Sequence, residues 1–498
     1  MLGGFYLRLG DALDEGLNRR VQGLAQSILA APHPALTDVI PGYSTLYLEY
    51  DAAGLSEAGL QNWLRTREES PPLEGRTLVV SVHYDGPDLP EVAARTGLGV
   101  GEVIAQHSAR AYHVYALGFT PGLAFMGDLD PALVLPRRDA PRACVPAGSV
   151  AIAGRQATVY PVASPGGWHL LGRTVDPVYT PAAADPLLFR AGDRVRFRPV
   201  NKVPGEVVAG RTEGGLDLLP ATPRAPLLRV AEPGLLDLVV DRGRFLAGRY
   251  GFARSGPLDA AAAARAARLV GNGADAALLE LNLRGGVFEV LGPGVLAFTG
   301  GGMRAHLNGE AVPRDTSFAV RAGDRLSFAA HPAGSRGYLA LAGGLESGRF
   351  RGSASVDLRG RIGRPLRAGD VLGTAHPHGA RPGRTFSPGL LGGAALRLVS
   401  GPQATSEALA ALTRQAFTVG RADRMGVQLL GGAVPGGEVL SEAVPLGSVQ
   451  VPPGGTPLLL LHDRGTLGGY DKPAVLHPAD LPRAGQLRPG QRVRFRLL

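Results

Sequence analysis

Apolar residues at helical spacing open the chain. Leu13, Val21, Leu24 and Ile28 lie between Asp11 and Pro32 and predict a helix there. Residues 44–50, STLYLEY, alternate as a half-buried strand does. Residues 55–66 read as a second helix starting near Ser56, and 76–82 as a β-branched, apolar strand. With a short first strand at 5–9, this order suggests a small α+β unit over 1–82. Short helices follow at 91–97 and 100–107, then a strand at 112–117.

From Gly118 to Thr174 the pattern changes. Glycine and proline recur every few residues, including Pro121-Gly122, Pro146, Gly148, Gly154 and Pro165-Gly166-Gly167. Such punctuation stops helices and sets turns. The apolar runs left between the breaks, 149–152 and 157–160, read as short strands of a small barrel or sandwich. Residues 186–199 read as a closing hairpin around Arg190-Ala191-Gly192-Asp193. Residues 202–226 lack periodicity and read as a linker. Beyond it, 260–270 is an alanine-rich helix with Asp259 near its N-cap.

An internal repeat joins the two halves. Gly148-Ser149-Val150 leads through Gly166-Gly167 to Arg194-Val195-Arg196-Phe197, and Gly447-Ser448-Val449 through Gly468-Gly469 to Arg492-Val493-Arg494-Phe495. From first glycine to closing valine the step is 47 residues in one copy and 46 in the other. A duplicated barrel accounts for this. Residues 321–328 read as a third copy of the closing hairpin alone.

Composition narrows the chemistry. At 498 residues and 45% apolar content the chain can build two or three cored domains. No apolar run reaches the ~18 residues of a bilayer span. The acidic N-terminal stretch is unlike a signal peptide, so a cytoplasmic protein is expected. The lone Cys144 cannot close a disulfide within the chain. The net charge of +9 comes from arginine: only Lys202 and Lys472 are lysines. No Gly-Lys-Ser/Thr phosphate loop exists, and no Met-Lys pair that would carry covalent biotin. The arginines are scattered among acids, which argues against nucleic acid as a partner.

The glycine-rich stretch also resembles a known family. Gly118-Phe119-x-Pro121-Gly122, Leu129-Asp130-Pro131, Pro136-Arg137-Arg138, Val145-Pro146-Ala147-Gly148-Ser149-Val150 and Ser164-Pro165-Gly166-Gly167-Trp168 match the subunit-1 half of the allophanate hydrolase (KipI-like) family, which includes the B component of 5-oxoprolinase. The second half resembles the subunit-2 (KipA-like) half, which includes the C component. It does so through Ser255-Gly256-Pro257-Leu258-Asp259, Leu269-Val270-Gly271-Asn272, Leu279-Glu280-Leu281, Asp423-Arg424-Met425-Gly426, and Asp463-Arg464 through Gly468-Gly469-Tyr470. One departure is Gly300-Gly301-Gly302, where such proteins carry Gly-Ala-Asp.

The resemblance implies a mainly β chain with α+β parts. Its units would be the α+β N-terminal domain over 1–82, a cyclophilin-like barrel over 83–201, the linker, and a second cyclophilin-like domain over 227–498. It implies ATP with Mg²⁺ as cofactor, a partner protein like the A component of 5-oxoprolinase, and lactam opening of 5-oxoproline, with homo-oligomerisation left open. Two other readings belong to the same resemblance: the carboxyltransferase part of a urea carboxylase, and a binding module that inhibits a histidine kinase.

Such chemistry needs anion clamps, amide donors and proton carriers. Arg137, Arg138, Arg173 and Arg424 could clamp anions, and Gly166, Gly167, Gly468 and Gly469 could donate amides. Glu280, Asp259 and Asp463 are the candidate catalytic acids. Asp423, Asn272 and Tyr470 would bind or orient substrate or nucleotide. No resident metal-ligand set is assigned.

Overall fold

The computed structural model describes residues 2–71, 75–138, 140, 142–201, 215–387 and 395–498. The N-terminal unit is a three-stranded antiparallel sheet in the order Leu2–Arg8, Thr45–Asp51, Leu36–Pro41. The helices Glu15–Ala30 and Glu57–Arg65 share its core. Each begins where a side chain takes an otherwise unpaired backbone N–H. Asp14 accepts from Leu17 N at 2.7 Å and Ser56 from Gly59 N at 3.1 Å. Val21 and Ile28 are fully buried beneath the sheet, as their spacing requires.

Two closed seven-stranded barrels follow, separated by a pair of packed sheets. The first runs His169–Thr174, Thr77–His83, Arg194–Pro199, Ala111–Leu117, Ala124–Gly127, Gln156–Val159, Ser149–Ala153 and back. The second runs Leu396–Ser400, Arg492–Leu497, Ala416–Ala422, Gly426–Leu430, Leu458–Leu460, Ser448–Val451, Leu467–Leu476 and back, with Glu438–Ala443 added on the outside. The equivalence extends to single bonds. Gly148 and Gly447 have φ of +81° and +85°, where only glycine is unstrained. Their carbonyls accept from Thr174 N at 2.9 Å and Leu476 N at 2.8 Å. Each barrel closes through one parallel pair, Arg194–Pro199 with Thr77–His83 and Arg492–Leu497 with Leu396–Ser400.

Several readings are corrected here. Thr77–His83 is a barrel strand and not part of the N-terminal unit, so a boundary at 82 cuts through it. The hairpin expected over 186–199 does not form: Arg194–Pro199 pairs instead with the distant Thr77–His83 and Ala111–Leu117. Its turn is nonetheless well made, with Asp193 accepting from Arg190 N at 2.8 Å. The same contact recurs as Asp324 to Arg321 N and Asp370 to Arg367 N, both at 2.7 Å. Neither of these lies in a barrel, so this four-residue motif specifies a turn and nothing larger. Residues 226–373, read as part of one barrel domain, form the six- and five-stranded sheets against helix Ala260–Leu269. Of the linker, 202–214 lies outside the described residues. Leu216 bridges Ile362 and Leu218 is buried, so the described part is anchored to the second half at these points.

The halves are joined by core, not by surface. Leu218, Ala247, Phe252 and Ile362 of the second half are buried in the same apolar cluster as the first barrel's interior. A second cluster puts Ala443 and Leu467 among Tyr43, Tyr47, Tyr115, Phe125 and Trp168. Gly251, at φ +84°, lies so close to Thr120 that any side chain would overlap it. Glu49, 1% exposed, pairs with Arg254 of the middle sheets and has Arg464 of the second barrel at 3.9 Å. Among the described residues no helix is long and apolar enough to cross a membrane.

The joint has two measurable consequences. A chain cleaved at a protease site engineered between residues 202 and 214 should still elute as one species of full mass, because the contact is a shared core. Elution as two separate halves would contradict it. The second consequence concerns Asp38, which accepts from Gly248 N at 3.2 Å across the joint. Burial, and then the neighbouring Glu49, push its carboxyl up to about 6. The folded state therefore holds this proton more tightly than the unfolded chain, whose carboxyl titrates near ~3.9. That contribution is present in full below about pH 4 and is lost as pH rises through about 6. Asp38→Asn keeps the acceptor and removes the titration. Its unfolding free energy should fall less than wild type's between these pH values, by roughly 2 kcal/mol at most. Parallel denaturant curves at each pH for the two proteins would refute this.

Candidate functional site

Besides the shared apolar cluster, the central glycine-rich stretch sends one charged side chain to the second barrel. Leu135 bridges Gly154, and Arg138 N donates to Gly167 O at 2.8 Å, so the backbone of 135–138 is held against the barrel. From this loop Arg137 extends across the joint. Its guanidinium lies 5.4 Å from the Tyr470 ring centroid and packs on Gly469, where any side chain would occupy its place. Its carboxylate neighbour, Glu438, is 4.0 Å away and half-exposed. Gly166 is similarly constrained, because a side chain there would strike the Tyr160 hydroxyl. The structure therefore brings together Arg137, Gly166, Gly167, Gly468, Gly469 and Tyr470 from the sequence candidates.

Two tyrosines not found in the sequence complete this seam. Burial pushes Tyr43 and Tyr160 well above the ordinary phenol value, and Arg137 acts in the opposite sense on both. Both therefore stay protonated. The Tyr43 hydroxyl is buried with no hydrogen-bond partner among the described residues. A neutral donor beside a guanidinium suits a carboxylate or phosphate oxygen.

Other candidates lie elsewhere. Arg138 turns away from Arg137 to Asp88 at 3.1 Å and Glu91 at 2.8 Å. Arg173 pairs with Asp85 on the surface. Asn272 ties helix Ala260–Leu269 to a strand, donating to Leu341 O at 2.7 Å and accepting from Gly343 N at 2.9 Å. It borders a separate cleft of about 730 Å³ with His376 and Arg384. Asp423 is exposed and shapes a turn, accepting from Met425 N at 2.7 Å and Gly426 N at 3.1 Å. Gly302 packs so tightly on the Arg336 backbone that no acidic side chain fits where the family pattern has one.

The candidate acids form a single buried network. Glu280, 1% exposed on strand Leu278–Asn282, pairs with Arg424 of the second barrel and has Arg336 at 3.7 Å. Its other oxygen accepts from Leu258 N at 2.9 Å and Tyr338 Oη at 2.8 Å. Burial opposes the charge on Glu280. The guanidiniums of Arg424 and Arg336 outweigh it and hold the carboxyl below the usual carboxylate range. Arg424 also donates to Asp463 at 2.8 and 3.1 Å and to Gly256 O at 2.7 Å. Asp259 caps the helix, accepting from Ala262 N and Gln486 Nε2, both at 2.9 Å. Every oxygen of Glu280 is engaged, so its geometry is that of a rivet between the middle sheets and the second barrel.

Lys472 lies in strand Leu467–Leu476, fully buried, with its ammonium 3.1 Å from Glu442. Glu49 and Glu442 went unnoticed in the sequence, although each is a charge among the alternating residues of a strand.

Glu280→Gln should cost about 3–5 kcal/mol of stability, because it leaves Arg424 and Arg336 without their shared counter-charge. Denaturant unfolding measures this. A loss under about 1 kcal/mol together with abolished activity would instead return Glu280 to the catalytic role.

The comparisons with known proteins divide at the same joint. A family model for carboxyltransferase domain subdomains C and D matches residues 3–189, and one for subdomains A and B matches 250–497. The first half is 42% identical to the 5-oxoprolinase B subunit of Escherichia coli O157:H7 over 188 residues, covering 36% of this chain and 85% of that protein. The second half is 33% identical to the 5-oxoprolinase C subunit of Escherichia coli K12 over 282 residues, covering 54% of this chain and 90% of that protein. The crystal structure of TTHA0988 is 52% identical, with a TM-score of 0.95 and full coverage of both chains. The chain belongs to the carboxyltransferase-domain family, with a first half homologous to the B component of 5-oxoprolinase and a second half homologous to its C component.

Proposed function

We propose that this chain is the fused B and C component of an ATP-dependent 5-oxoprolinase, which opens the lactam of 5-oxoproline to glutamate together with a separate A component. One observation carries the reading. Two halves that match separate B and C proteins share a continuous apolar core here, with Arg137 crossing it to Gly469 and Tyr470. Proteins that must act together place their site where they meet.

In this reading Arg137 holds the α-carboxylate of the substrate or a phosphate oxygen, and the Tyr43 hydroxyl donates a second hydrogen bond. Gly469 lets the Arg137 guanidinium approach closely, and Gly166 does the same for the Tyr160 hydroxyl. The aromatic floor of Phe125 and Trp168 keeps water from the buried side. For nucleotide, Glu438 is a half-exposed carboxylate of the kind Mg²⁺ takes beside phosphate oxygens. ATP would supply the activation of the lactam oxygen.

Glutamate release from 5-oxoproline and ATP should be absent with the chain alone and appear when a protein like the 5-oxoprolinase A component is added. Arg137→Ala should lower that turnover about tenfold or more and leave the unfolding midpoint unchanged. Full or ATP-independent activity of the isolated chain would overturn the reading.

A further inference from the structure

A second cleft, of about 900 Å³, is lined by residues of both halves. Its walls are helix Glu15–Ala30, the turn 189–194 of the first barrel, and Arg249, Tyr250 and Arg351 of the second half. It contains none of the residues of the Arg137 seam. Five arginines and two carboxylates line it, and the carboxylates are already engaged. Glu15 pairs with Arg19 at 2.6 Å and Arg194 at 2.5 Å, and Asp185 with Arg190 at 2.5 Å.

Arg249 and Arg351 remain. Among the described residues neither has a carboxylate within 4.0 Å. Both surround Tyr250, with guanidiniums 4.6 and 4.2 Å from its ring centroid. Arg249 donates to the Tyr250 hydroxyl at 2.9 Å, which leaves the hydroxyl's own hydrogen to donate elsewhere. Burial pushes this phenol up, but the two guanidiniums outweigh it and hold it below the ordinary tyrosine value.

The group is rigidly placed. Tyr250 bridges Leu117, and its carbonyl accepts from Gly122 N at 3.0 Å. Arg351 sits at φ +46°, in the left-handed region that non-glycine residues rarely adopt. In it the guanidinium lies over the rings of Tyr250 and Phe252. Two guanidiniums without counter-charge, one free hydroxyl hydrogen and an apolar wall of Leu29, Leu187 and Phe189 make a receptor for an organic anion.

We propose that this cleft binds a small-molecule oxyanion, a carboxylate or a terminal phosphate, between the Arg249 and Arg351 guanidiniums and the Tyr250 hydroxyl. The proposal concerns binding by the chain alone and stands apart from the 5-oxoprolinase reading, since its test needs neither turnover nor a partner protein.

Calorimetric titration of the intact chain with 5-oxoproline probes the carboxylate, and with ATP the phosphate. At least one should bind. Arg249→Gln and Arg351→Gln should each weaken that binding about tenfold, with the double variant weaker still, and Tyr250→Phe should weaken it several-fold. Tyr250→Phe keeps the ring on which the arginines stack, so it carries the test if an arginine variant fails to fold. The proposal is overturned if neither probe binds at millimolar concentration. It is overturned equally if binding is unchanged in Tyr250→Phe and in the folded arginine variants, or if it is lost only in Arg137→Ala, which would put the ligand in the other seam.

Discussion

Glu49 is the point where three bodies of this protein meet. It lies on the N-terminal sheet, its ion pair with Arg254 reaches the middle sheets, and Arg464 approaches from the second barrel. A carboxylate taken out of water costs several kcal/mol unless opposite charge and hydrogen bonds replace the water. Here both guanidiniums come from the other half of the chain, and Thr37 adds a hydrogen bond at 3.0 Å. Separating the halves would break both contacts of Glu49 with the guanidiniums. The shared core supplies the favourable area, and Glu49 sets the register in which that area can be buried.

The near-absence of lysine has a physical reading in the same terms. Arg424 satisfies Glu280, Asp463 and the Gly256 carbonyl at once, because a planar guanidinium presents five donors in fixed directions. Lys472, the one buried lysine among the described residues, reaches only Glu442 and the Tyr470 carbonyl. A protein that rivets its layers with buried charge gains from the residue with more donors. The same property makes the few guanidiniums left without a full set of partners informative. Arg137 in one seam has its carboxylate neighbour only at 4.0 Å, and Arg249 and Arg351 in the other have none within that distance among the described residues.

Duplication explains why these seams exist. Two barrels of one topology share even the left-handed glycine that precedes the Ser-Val strand, yet their outer faces differ. The first carries the Arg137 loop on its outside, and the second offers the glycine-rich strand that receives it. The close neighbour of Gly469 is a side chain of the other half, the Arg137 guanidinium, and not its own barrel.

What the sequence determined by itself was local or repeated. Helix starts near Ser56 and at Asp259 were legible because a cap reaches only three residues along the chain. The duplicated barrel was legible because two copies keep the same spacing. What lay beyond was decided by contacts across hundreds of residues. Arg137 and Arg138 are adjacent and chemically identical, yet one meets Gly469 and the other Asp88. Glu280 reads as a lone acid on a strand until Arg336, Tyr338 and Arg424 are brought to it. Arg194–Pro199 suggested a hairpin arm until Thr77–His83, more than a hundred residues earlier, proved to be its partner. Local hydrogen bonds depend on spacing along the chain, which the sequence states. Charge pairing, strand closure and the opening of a cleft depend on distances in space, and only the packing of the two halves settles those.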